Sequence, residues 1–96
     1  MNLPTGVPKV VGRNIKMFDA KRELEDLASS DFSGYVIESI LGDQGLEESA
    51  LLFRSGQGVG AVYEYYGLRT ALQGDAALPH VMNAFASDHA TLDVMG

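Results

Sequence analysis

The stretch LLFRSGQGVGAVYEYYG, from Leu51 to Gly67, constrains the fold more than any other part of the chain. It sets three glycines at alternate positions, Gly56, Gly58 and Gly60, between two apolar runs. A phosphate-binding glycine loop has to open a helix, and a P-loop carries a Lys-Ser or Lys-Thr pair after its last glycine. Here the residues that follow are Val59, Val62, Tyr63, Tyr65 and Tyr66, which favour strands. The spacing is G-x-G-x-G with no such pair. The stretch therefore predicts a hairpin: one strand over 49–54, a two-residue turn at Ser55-Gly56, and a second strand over 57–66. Glycine supplies the positive φ that such a turn needs. Gly58 and Gly60 would mark a bulge or a close approach to the backbone.

The surrounding sequence fills in an α+β pattern. Residues 32–42 alternate as a strand, with Tyr35, Ile37, Ser39 and Leu41 on one side and Val36, Glu38 and Ile40 on the other. Residues 43–48 read as an acidic loop that turns at Gly45. Residues 17–29 read as a first helix with an apolar stripe of Met17, Ala20, Leu24, Leu27 and Ala28, and with Asp19 near its start. Residues 67–74 read as a connection holding at most a short turn of helix. A second helix is expected over 75–87, with Leu78, Val81, Met82 and Phe85 inward and Pro79 confined to the first turn. Residues 90–95 read as a last strand. Residues 1–16 contain Pro4, Pro8, Gly6 and Gly12 and read as an extended arm, whose Val10, Val11 and Ile15 could lie along a sheet or a neighbouring chain. The expected fold is a small antiparallel sheet, a three-stranded meander plus a C-terminal strand, with two packed helices. Residues 17–96 would form one domain, compatible with the N-terminal part of a longer protein.

Charge is placed unevenly along the 96 residues. Residues 1–22 hold Lys9, Arg13, Lys16, Lys21 and Arg22 against Asp19, whereas residues 23–96 hold twelve acids against Arg54 and Arg69. The basic stretch is too narrow for a nucleic-acid surface, which would spread over a face with interleaved aromatics. No apolar run approaches the roughly 20 residues of a membrane helix, and the N-terminus has no signal-peptide core. The chain has no cysteine, so thiolate zinc sites, disulfides and thiol nucleophiles are excluded. These features point to a cytoplasmic protein that needs no membrane.

Few residues suggest chemistry. His80 and His89 are nine apart and lack the spacing of a zinc pair, so no metal is expected. Ser33 and Ser55 do not sit in a nucleophile elbow. Glu38 and Glu64 lie mid-strand and could pair as acid and base, although charged residues there more commonly face solvent. Arg54 and Arg69 are the bases of the acidic body and the candidates for an anion. Tyr63, Tyr65 and Tyr66 form the densest aromatic patch and are the candidates for partner contact, because tyrosine is enriched at interfaces.

The motifs Ser33-Gly34-Tyr35, Leu52-Phe53-Arg54, Gly56, Gly60-Ala61 and Gly74-Asp75-Ala76-Ala77-Leu78 together resemble the PATAN domains of bacterial signalling proteins and related uncharacterised archaeal proteins. The resemblance covers roughly residues 18–95 and leaves the basic arm outside. It implies a non-enzymatic signalling adaptor, with no cofactor and no catalytic residue to carry over. The expected function is thus a protein-interaction module that binds another protein or forms a homodimer. The second expectation is a small-molecule or anion sensor with a pocket between the sheet and the second helix. The third is an enzyme built on Glu38 or Glu64.

Overall fold

A computed structural model describes residue 3 and residues 5–96. Pro4, read above as part of the extended arm, lies outside the described residues. The chain runs β1 (Pro8–Asn14), α1 (Ala20–Ser29), β2 (Gly34–Gly42), β3 (Gly45–Arg54), β4 (Gln57–Tyr65), β5 (Thr70–Gln73), α2 (Leu78–Ala86) and β6 (Thr91–Met95). Single 3-10 turns at Ile15–Met17, Tyr66–Leu68 and Gly74–Ala76 link them.

The expected sheet of three meander strands plus one is corrected. The strands form one six-stranded antiparallel sheet in the order β1-β6-β2-β3-β4-β5. Two strands escaped the sequence pattern for different reasons. β5 has only four residues, Thr70–Gln73, too few to establish a period. β1 lies in the expected arm. Its Pro8 and Gly12 read as loop residues, yet it pairs with β6 through two register shifts that absorb them. The proline, the irregular ladder and the charges of Lys9 and Arg13 suit an edge strand.

The expected acidic loop over 43–48 is also corrected. β2 and β3 stay paired down to Gly42 opposite Gly45, leaving Asp43 and Gln44 as the turn. The second hairpin turns at Ser55-Gly56 as expected, with φ of 50° and 81°. A bulge follows, because Leu52 opposes Gly60 while Phe53 opposes Gly58, which leaves Val59 as the extra residue.

Both helices start later than their apolar stripes suggest. Asp19 caps α1 by accepting from the Arg22 amide, and Glu23 reaches back to the Asp19 amide. Met17, expected in the stripe, precedes the cap and is exposed. In α2 the inward residues are Val81 and Ala84, with Ala77 just ahead, while Leu78 and Met82 point outward. Two stripes overlap in this short helix, and the small alanines let it sit close to the sheet.

The helices share one face of the sheet. Ile15, Phe18, Phe32, Val36, Ala90, Leu92 and Val94 form one cluster, with Leu24 and Leu27 of α1 packed on it. Ala61, Tyr63, Ala77 and Val81 form a second under α2. Phe85 touches both and stacks on Phe18 with ring centroids 5.9 Å apart. On the opposite face, register sets Tyr35, Ile37, Leu52, Val62 and Met95 side by side, each half-buried, and neither helix packs there.

Candidate functional site

The register of three neighbouring strands builds the site. Glu38 of β2 opposes Ser49 of β3, and Ser49 opposes Tyr63 of β4. The three side chains thus form one row on the helix-covered face. Glu47, two residues before Ser49, joins the same face. His80, Asn83 and Ala84 of α2 close the space from above, leaving a cavity of about 150 Å³ whose walls also include Ile40 and Glu48.

Glu38 is fully buried. The alternation of β2 dictates this, since Glu38 stands in phase with Val36 and Ile40. The preference of mid-strand carboxylates for solvent is overridden here by the phase of the strand. Oε2 accepts a hydrogen bond from the Ser49 hydroxyl at 3.1 Å, while Oε1 has no partner among the described residues. Burial pushes the Glu38 carboxyl up to about 8, and the Ser49 hydrogen bond offsets only part of that rise. Glu38 is therefore largely a neutral acid at pH 7.

Tyr63 donates to Glu47 Oε1 at 2.6 Å. Burial, and then this bond to a carboxylate, hold the Tyr63 phenol well above its ordinary range. The His80 imidazole stacks on the Tyr63 ring with centroids 3.9 Å apart and planes within 15°. The cavity thus combines two carboxyl groups, a phenol, a hydroxyl, an amide and an imidazole. It offers hydrogen-bond acceptors and has no Lys or Arg in its wall.

The residues singled out in the sequence scatter. Glu38 and Glu64 do not meet, because register sends Glu64 to the opposite face, directly across from Glu48. Tyr63 is buried beneath α2, Tyr65 is half-buried, and Tyr66 is exposed. The Tyr65 hydroxyl accepts from the Gln44 amide at 2.9 Å, and Tyr66 donates to Glu48 Oε1 at 2.6 Å. Arg54 is exposed at the end of β3, in a groove of about 380 Å³ that Tyr35, Leu52, Val59 and Met95 also line. Arg69 is exposed after the 3-10 turn at Tyr66–Leu68, with φ of 52°. Neither arginine reaches the cavity between the sheet and α2.

Ser33 accepts from the Ser55 amide at 2.8 Å, which secures the hairpin turn. His89 is exposed beside Asp88. Among the described residues no trio of His, Cys, Asp or Glu is placed to hold a metal ion. No helix among them is long and apolar enough to cross a membrane. Reasoning from sequence missed Ser49, Glu47 and Asn83 as neighbours of Glu38. The signal that could have found the first was the register implied by the tight Gly42–Gly45 turn, which fixes Glu38 opposite Ser49.

The chain belongs to a family described as an uncharacterized protein conserved in archaea (DUF2226), whose model matches residues 1–96. No curated protein and no solved structure matches it.

Proposed function

We propose that this archaeal family member is a non-enzymatic, cytoplasmic protein-interaction module that docks its partner on the sheet face opposite the helices. The observation that carries the reading is the apolar strip on that face. Half-buried Ile37 and Val62 flank the fully buried Ala50 across three strands, with Asp93 beyond Ile37, and half-buried Tyr35, Leu52 and Met95 form the adjoining row. Leu41 is 80% exposed beyond one end and Val59 is 56% exposed near the other. Contiguous apolar surface of this kind marks sites of protein contact. The resemblance of residues 18–95 to PATAN signalling domains supports the adaptor reading.

The polar residues of the face indicate the kind of partner. Glu48 and Glu64 oppose each other directly there. Two copies stacked face to face would bring these acids toward one another, which disfavours a symmetric dimer. The partner is therefore another protein that presents apolar side chains beside lysine or arginine.

A displayed peptide library can be selected on the chain, with Ile37→Lys/Val62→Lys as the counter-target. Selected peptides should combine apolar and basic residues and shift the amide resonances of Ile37, Leu52 and Val62. Binders that map elsewhere, or that bind the double variant equally, would sink the reading. So would light scattering that shows a dimer closed through this face.

A further inference from the structure

We propose that the cavity between the sheet and α2 binds a small organic cation, an ammonium or guanidinium group seated against Glu38 and Glu47. This site lies on the other side of the sheet from the docking face and stands independently of it. Three observations carry the proposal.

The first is the orphaned oxygen. Glu38 is fully buried and Oε1 has no hydrogen-bond partner among the described residues, a state that costs free energy unless a donor arrives. An ammonium or guanidinium N–H supplies that donor once the carboxyl has given up its proton. The second is the sign of the lining. Glu38 and Glu47 face the space and, among the described residues, no lysine or arginine lines it, so the wall offers an anion no countercharge. The third is size. A cavity of about 150 Å³ matches the volume at which an apolar protein cavity takes up benzene. That is far more than a bare metal ion needs, and no metal-binding trio is present among the described residues. Ile40 and Ala84 give the wall an apolar portion suited to the carbon part of such a ligand.

The groups that face Glu38 are Glu47 and Ser49 from β3, Tyr63 from β4, and His80 with Asn83 from α2, while β6 opposes it with Leu92. A bound cation favours the ionised carboxylate, so binding releases a proton and tightens with rising pH. Glu38 stands near 8 before binding. Affinity at pH 9 should therefore exceed that at pH 6 by at least about tenfold.

The test is a titration of the whole chain with butylammonium chloride and with methylguanidinium chloride, at ionic strength held constant with sodium chloride. The side-chain methyl resonances of Ile40 and Ala84 are followed by NMR. Saturable shifts at both methyls, tighter at pH 9 and weakened at least tenfold in Glu38→Gln, are expected for at least one of the two cations. The amide spectrum of Glu38→Gln should stay as dispersed as the parent's, which separates loss of charge from loss of fold. The proposal fails if sodium butyrate or sodium chloride alone gives equal shifts, or if Glu38→Gln binds as well as the parent. It fails also if neither cation saturates, or if zinc or magnesium chloride binds the same methyls more tightly.

Discussion

Ser49 and Glu38 face each other across β2 and β3, and the Ser49 hydroxyl is held to Glu38 Oε2 at 3.1 Å inside the protein. The pair ties stability to pH. The Glu38 carboxyl titrates near its ordinary 4.5 when unfolded and near 8 when folded. Between these values the folded state holds a proton that the unfolded state has lost. Stability contributed by Glu38 is therefore intact below about 4.5 and declines as pH rises toward 8. The full decline is roughly 5 kcal/mol. Glu38→Gln removes the titration and keeps the shape. Urea unfolding should show the variant close to the parent at pH 5 and clearly more stable at pH 9. Parallel pH profiles for the two proteins would contradict the assignment.

The three alternate glycines differ in what they tolerate. Gly56 has φ of 81°, and a Cβ there would meet the Ala28 carbonyl oxygen at the end of α1. Gly58 has open space around it, and a Cβ on Gly60 would make ordinary contact with Leu52 at 4.0 Å. Gly56→Ala should cost roughly 2–3 kcal/mol, through both the backbone conformation and the clash. Gly58→Ala and Gly60→Ala should change stability by less than about 1 kcal/mol, because alanine there also narrows the unfolded ensemble. Chemical denaturation of the three variants checks the order. Equal losses at all three positions would mean that the hairpin does not rest against α1.

These glycines also show what the sequence could reveal. The Ser55-Gly56 turn was legible because turn chemistry is local, and the hairpin fixed the phase of β3 and β4. β1 and β5 were not legible. β5 is shorter than any period can establish, and β1 pairs only with β6, some 80 residues away in sequence. Long-range pairing leaves no local trace in a strand that carries proline and glycine. The site was half visible. The phase of Glu38 with Val36 and Ile40 is readable in the alternation of β2, but its burial depends on α2 lying over β2–β4. Nothing within β2 encodes that.

Tyr66 reports on the acidic side of the sheet face opposite the helices. Its hydrogen bond to Glu48, followed by partial burial, pushes the phenol up to about 12. Glu48→Gln removes the charge that resists ionisation. The Tyr66 transition, followed by tyrosinate absorbance against a Tyr66→Phe control, should fall back toward 10. An unchanged transition would mean that the 2.6 Å contact does not persist in solution.

The basic N-terminal segment is structural as well as charged. β1 covers the edge of β6, and Val10 packs against the cluster that includes Leu92 and Val94. Arg13 reaches Glu23 of α1 at 2.8 Å, and the Gly12 amide donates to Asp93. Deleting residues 1–14 removes all four contacts and turns β6 into an unpaired edge beside apolar surface. Such an edge is a template for pairing with another chain. The truncated protein should melt well below the parent and elute from size exclusion as a concentration-dependent oligomer. If the segment were only a solvated arm, its loss would leave the melting midpoint and the mass in light scattering unchanged. A truncated protein that is stable and monomeric would show that the β1–β6 pairing contributes little, and that β2 to β6 suffice for the fold.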